Sequence, residues 1–157
     1  MKKIFLLPLI AVLGFAIFST STFAKVAEKP KNTKDLKDVP ASSNYTSVII
    51  DCTGIFLVRA MSPVLLDAKY NEIYPGSYAK YMKLEEIMEG RIITYEKDLA
   101  KAKANFLAGK KPLILKPIGI EGIIKSNPML SRQDAIKLKL AELDGKFMAS
   151  KKVIFVY

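Results

Sequence analysis

"IIDCTGIFLVRAMSPVLLD", residues 49–67, is the stretch on which the reading of this chain turns. An aliphatic run leads into Asp51, a Cys-Thr-Gly turn signal follows, and a second aliphatic run ends at Asp67. Aliphatic residues before Asp-Thr-Gly would present a catalytic carboxylate, but here Cys52 stands between Asp51 and Thr53. Side chains alternate faces along a strand, so the inserted residue is expected to turn hydroxyl and carboxylate away from their paired positions. Carboxylate catalysis of that kind also needs a second carboxylate sharing a proton at about 3 Å. Asp67 is followed by Ala-Lys, not Thr-Gly. The stretch therefore reads as a structural corner built from Asp51, Gly54, Arg59 and Asp67. Gly54 supplies backbone freedom where the chain leaves its first strand, and Asp51 is expected to accept hydrogen bonds from backbone amides there.

Outward from this corner, "YTSVIIDC" and "IFLVRA" read as strands, and "SPVLLDAKYNEIYPG" as two short strands around an Ala-Lys-Tyr-Asn connection. "SYAKYMKLEEIMEG" has loosely helical spacing and stops at Gly90, and "RIIT" reads as a short strand. A clearer helix is expected from Glu96 to Ala108, burying Leu99, Ala102 and Phe106, with Gly109 where a left-handed cap is wanted. "PLILKPIGIEGII" returns to strand, with Pro112 and Pro117 at ends or edges. Asn127-Pro128 reads as a turn, and Ser131 with Asp134 as the start of a third helix that buries Ile136, Leu140, Leu143 and Phe147 and ends near Gly145. The closing "KKVIFVY" is apolar enough to lie inside a sheet. Strands first, then helices alternating with strands, predict an α+β fold: a single sheet of short strands with helices packed on one face.

At the N-terminus, Lys2 and Lys3 precede an apolar run from Ile4 to Phe18, then a small polar patch and Phe23-Ala24. This order is that of a secretory signal, with small residues Thr22 and Ala24 at the −3 and −1 positions. A membrane anchor wants about 20 apolar residues, and Pro8 and Gly14 interrupt this shorter run. The reading is a signal peptide at 1–24, a lysine-rich and proline-broken leader at 25–43 with too little apolar surface to fold, and an α+β domain at 44–157. Cleavage after Ala24 would leave a periplasmic or secreted protein with no stable membrane insertion. The lone cysteine, Cys52, is not placed for lipid attachment or an internal disulfide.

The chain carries 25 basic against 15 acidic side chains. Such an excess attracts anionic polymers in general. The lysines are scattered rather than interleaved with aromatics, so no nucleic-acid partner is expected. There is no histidine, which excludes imidazole-based catalysis and the commonest zinc and copper sites. Cys52 would be a nucleophile only if a cation such as Arg59 lowered its pKa, and a small buried thiol on the core face is the expected state. No cofactor and no metal site are predicted, and "GIEG" at Gly119 to Gly122 is too short to cradle a phosphate.

"YTSVIIDCTGIFLVRAMSPVLLDAKYNEIYPGS", "ITYEKDLAKAK", "KPLILKPIGIEG" and "SNPMLSRQDAIKL", in that order, resemble a group of small exported bacterial proteins related to lipoproteins of flagellar and outer-membrane assemblies. The pattern is Tyr-Thr-Gly, aliphatics, Asp-x-x-Gly, aliphatics and Ser-Pro; this chain departs from it with Ser47 in place of the glycine and with no lipid-attachment cysteine. The resemblance implies envelope or flagellum-associated protein partners and no reaction. The expected function is thus non-enzymatic binding or assembly in the cell envelope, by contact with envelope proteins or by self-association. The alternative is binding of an anionic envelope or wall polymer through the basic surface, and a thiol- or carboxylate-based enzyme comes third. Tyr70, Ile73 and Tyr74, aromatic and aliphatic on a segment read as an exposed sheet edge, are the candidate protein contact.

Overall fold

The computed structural model describes residues 44–157. The expected signal peptide at 1–24 and leader at 25–43 lie outside the described residues. An α+β domain follows, but its strands divide between two four-stranded sheets instead of one. The first is wholly parallel, in the order β4 (Thr94–Glu96), β8 (Val153–Val156), β1 (Ser47–Asp51) and β5 (Pro112–Leu115). The second is mixed, in the order β3 (Glu72–Tyr74), β2 (Leu65–Leu66), β7 (Asn127–Met129) and β6 (Gly119–Glu121).

α2 (Leu99–Ala104) packs on one face of the parallel sheet, and the other face meets a core to which the second sheet and α3 (Arg132–Gly145) both contribute. Parallel neighbours cannot be joined by tight hairpins, so crossovers of a dozen or more residues carry helices over the sheet. Alternation along β1 and β8 separates the faces. Ile49, Ile154 and Val156 pack with Ala102 and Ala108, in and just beyond α2. Val48, Ile50, Val153 and Phe155 point the other way, into the larger core. That core includes Leu65, Ile73 and Ile120 from the second sheet, and Ala135, Leu138 and Ala141 from α3. The closing strand is fully buried between β4 and β1, as its unbroken apolar run requires.

Several local expectations shift. Residues 55–60 form an extended loop, not a strand, and the strand expected at "RIIT" begins at Thr94. The first helical segment divides into a 3-10 helix, Gly76–Tyr81, and α1 (Leu84–Met88) because Met82 is extended between them. Asp98 caps α2 by accepting from the Lys101 amide, and the helix stops at Ala104. There the Asn105 side chain accepts from the Leu107 amide and donates to Glu96, offering the backbone a competing partner. Phe106 is therefore 87% exposed rather than buried. Gly109 does adopt a left-handed conformation (φ +67°), and a Cβ there would lie 2.7 Å from Thr46.

Ser131 begins α3 as its spacing with Asp134 predicts: its hydroxyl accepts from the Asp134 amide. The buried face of that helix is nonetheless rotated from the expected one. Leu140 and Leu143 face solvent while Ala135, Leu138, Ala141 and Glu142 face inward. Small alanines let the helix approach closely. The Glu142 carboxylate is drawn in because it accepts from the amides of Met148 (2.8 Å) and Ala149 (3.3 Å), closing the return to β8. Burial raises the Glu142 pKa against the opposing pull of those amides. Asn127-Pro128, read as a turn, is instead part of the interior strand β7.

Candidate functional site

All four strands of the parallel sheet run the same way, so Asp51, Glu96, Leu115 and Val156 end along one rim. Ligands of parallel sheets sit beyond this carboxyl rim, where the loops diverge. Asp51 is buried at its centre, paired with Val156 in register. Its Oδ1 accepts from the Thr53 amide at 3.1 Å and from the Thr53 hydroxyl at 2.5 Å. Hydroxyl and carboxylate thus meet, contrary to the alternation argument, because the strand ends at Asp51 and the chain turns through Gly54 at φ +87°. Lys116, next along from β5, brings its ammonium to 3.9 Å from Asp51 Oδ2.

Cys52 lies on the core face with no solvent exposure. Burial first, then the negative charge of Asp51, pushes its thiol pKa up to about 12. At neutral pH it is a protonated thiol, which gives nucleophilic chemistry no support here. Arg59 is not spent on that thiol. Its guanidinium lies over the rings of Tyr95 (5.2 Å) and Tyr157 (5.5 Å), and those rings meet edge to face. The Tyr95 hydroxyl accepts from the Ala60 amide and donates to the Ala60 carbonyl, both at 3.2 Å, which pins the Arg59 loop to β4. Burial raises the Tyr95 pKa, with the Ala60 bond and Arg59 opposing. Beside this cluster lies a cleft of about 440 Å3 whose walls include Arg59, Met61, Glu89, Gly90 and Ile93. Glu89 is paired with Arg91, leaving Arg59 as the unpaired cation of the cleft among the described residues.

Beyond Gly54 the same rim carries apolar side chains that the fold does not use. Ile55 and Phe56 stand on the loop after β1, with Phe56 77% exposed. The Val58 amide donates to the Lys125 carbonyl at 2.9 Å, which brings the β6–β7 turn alongside. That turn closes by the Lys125 amide donating to the Gly122 carbonyl, and it presents Ile123, fully exposed, and Ile124 at its two central positions. Turn centres ordinarily hold Gly, Asn, Asp or Pro. Two isoleucines between Gly122 and Lys125 were the legible signal that sequence reasoning passed over by treating them as strand.

The expected contact at Tyr70, Ile73 and Tyr74 is corrected. Tyr70 is 65% exposed, but Ile73 and Tyr74 are core residues, and the Tyr74 hydroxyl donates to the Ile92 carbonyl at 2.7 Å. On β3 the side chains of Ile73 and Tyr74 are taken by the larger core, while Glu72 is exposed and the strand remains, as expected, at the edge of its sheet. Asp67 lies away from the rim of Asp51, Gly54 and Arg59. Its Oδ1 accepts from the amides of Lys69 (2.8 Å) and Asn71 (2.9 Å), holding the β2–β3 connection. Desolvation raises its pKa, but hydrogen bonds from the Asn71 side chain and these amides, with Lys139 nearby, outweigh that and hold it below the ordinary value.

Among the described residues no three His, Cys, Asp or Glu side chains converge as metal ligands, and no helix is long and apolar enough to cross a membrane. The rim carries a cation on two aromatic rings, lysines at 116 and 125, and two loops with exposed aliphatic and aromatic side chains. No curated protein matches the chain. A family model described as the second domain of Treponema pallidum Tp0624 matches residues 47–157, from the first residue of β1 to the C-terminal tyrosine. The chain accordingly belongs to the family of that second domain of Tp0624.

Proposed function

We propose that this protein is a non-enzymatic binding and assembly module of the bacterial cell envelope. It is exported, freed of residues 1–24, and docks on a protein partner through the paired loops 53–58 and 122–125. The observation that carries the reading is the exposure of Phe56 and Ile123 on two loops joined by the Val58–Lys125 hydrogen bond. Isolated apolar residues on a surface are ordinary, but several exposed ones on two hydrogen-bonded loops are more than the fold requires and suit a protein contact. The sequence resemblance to small exported proteins related to flagellar and outer-membrane lipoproteins supports an envelope protein as the partner, with self-association as the alternative. A second reading has support in Arg59, Lys116 and Lys125 near the same rim: binding of an anionic envelope polymer.

Photo-crosslinking in intact cells, with a reactive side chain placed at Ile123 and, as control, at Lys110, tests the first reading. A defined protein adduct from position 123, absent from position 110 and lost in Phe56→Ser, is expected. The purified complex should hold its affinity as salt rises, because apolar docking is little screened, whereas binding through lysines weakens steeply. No adduct, or affinity that collapses with salt, overturns protein docking, the latter in favour of the polymer. Phe56→Ser and Ile123→Ser should each leave stability within about 0.5 kcal/mol, as surface substitutions do.

A further inference from the structure

We propose a second, independent binding site for a small amphipathic carboxylate, in the pocket between the β2–β3 turn and the first turns of α3. The pocket measures about 400 Å3, within the size range of small-molecule sites. Its helical wall is a single stripe. Arg132, Ala135, Ile136 and Lys139 stand at i, i+3, i+4 and i+7, so one face presents a cation, apolar area, then a second cation. Lys69 adds a third cation from the facing turn, where Ala68 continues the apolar surface.

The one carboxylate in this wall does not neutralise them. Asp67 is occupied within its own turn, by the amides of Lys69 and Asn71 on Oδ1 and by the Asn71 carboxamide on both oxygens. No ion pair among the described residues involves Lys69, Arg132 or Lys139. Lys139 acts on Asp67 only through space, which helps hold that carboxylate ionised. The pocket therefore carries three cations against one negative charge that is already bonded. Its field favours a ligand with one or two negative charges, and Ala68, Ala135 and Ile136 favour an aliphatic body on that ligand.

Arg132 is suited to a carboxylate in particular. Its planar guanidinium can take both oxygens in parallel hydrogen bonds, while Lys139 and Lys69 serve as point charges on either side. The turn is also set in advance: Tyr70 is held at φ +62°, between the two residues whose amides bond Asp67 and with its own amide donating to the Asp67 carbonyl at 2.9 Å. A preset wall loses little conformational freedom when a ligand enters. The pocket is separate from the Asp51–Arg59 rim, so this site stands or falls without the proposed loop docking.

Titration of the protein, purified as the cell makes it, with hexanoate, hexanol and inorganic phosphate tests the assignment, followed by backbone amide NMR. Hexanoate should give saturable shifts at Lys69, Asn71 and residues 132–136. Hexanol, which has the body without the charge, and phosphate, which has the charge without the body, should bind about tenfold more weakly or not at all, as loss of one charge-assisted bond implies. Arg132→Gln with Lys139→Gln should weaken hexanoate about tenfold or more, while Lys110→Gln leaves it unchanged. Should the double variant unfold, Lys69→Gln and Lys139→Gln alone, each with an unshifted thermal transition, are each expected to weaken binding about threefold. Absence of saturable shifts in this pocket, equal affinity in the variants, or phosphate binding as tightly as hexanoate overturns the proposal.

Discussion

In the parallel sheet, β1 and β8 bury every side chain from Ser47 to Asp51 and from Val153 to Val156, whereas no strand of the second sheet is longer than three residues. The two are held by different means. The parallel sheet rests on apolar packing from both faces. The second sheet has too few ladder bonds to fix its chain, and polar side chains supply the rest. Asn127 Oδ1 accepts from the Val64 amide, Glu72 Oε1 accepts from the Gly76 amide, and Asp67 closes the β2–β3 turn. Short strands thus shift the work of fixing the backbone from ladders to side-chain acceptors, each of which satisfies an amide that would otherwise lack a partner.

The comparison is most exposed at the centre of the parallel sheet. Phe155 is fully buried and meets Tyr95 edge to face. Phe155→Ala should cost about 3–5 kcal/mol, read as a lower urea midpoint. In the second sheet, Asn127→Ala deletes no core volume but strands the Val64 amide. About 1–3 kcal/mol is expected there by the same measurement. If Asn127→Ala costs as much as Phe155→Ala, the division between packing and polar fixation fails.

The smallest effect belongs to Asp67 and appears only with pH. A carboxylate held below its ordinary pKa adds stability that is present above the unfolded value, near 3.8, and is lost as pH falls through the folded value. Asp67→Asn keeps an acceptor but cannot titrate. The wild-type protein should therefore exceed the variant in thermal midpoint near neutral pH, and the gap should close as the solution is acidified below about pH 4. A gap that is constant from neutral pH to pH 3 would remove Asp67 from the set of charged fixings.

Much of the order was legible from local chemistry. The burial of Val153–Val156 followed from an unbroken apolar run, the start of α3 from Ser131 and Asp134, and the β2–β3 hairpin from two short apolar runs around a polar connection. The candidate rim was half legible. Asp51, Gly54 and Arg59 came from the opening stretch, but Tyr95 and Tyr157, on which Arg59 rests, lie 36 and 98 residues further on, and only the sheet register brings them to it. Ile123 and Ile124 looked like strand because aliphatic residues carry the same signal whether they face a core or solvent.

By itself the sequence determined part of what depends on neighbours along the chain: the Ser131 cap of α3, the polar β2–β3 turn, the buried closing strand and the lack of any imidazole. Tertiary structure alone decided which face of each element is inside. Ile136, Leu140 and Leu143 satisfy helical periodicity as well as Ala135, Leu138 and Ala141 do, and the choice went to the set with two alanines, whose small side chains let α3 lie close to the core. Strand order was also tertiary. β1 lies between β8 and β5, and its partners start more than 60 residues later, so its pairing depends on contacts that no local pattern encodes. Burial of a side chain is a property of what packs against it, and those partners here are remote in the chain.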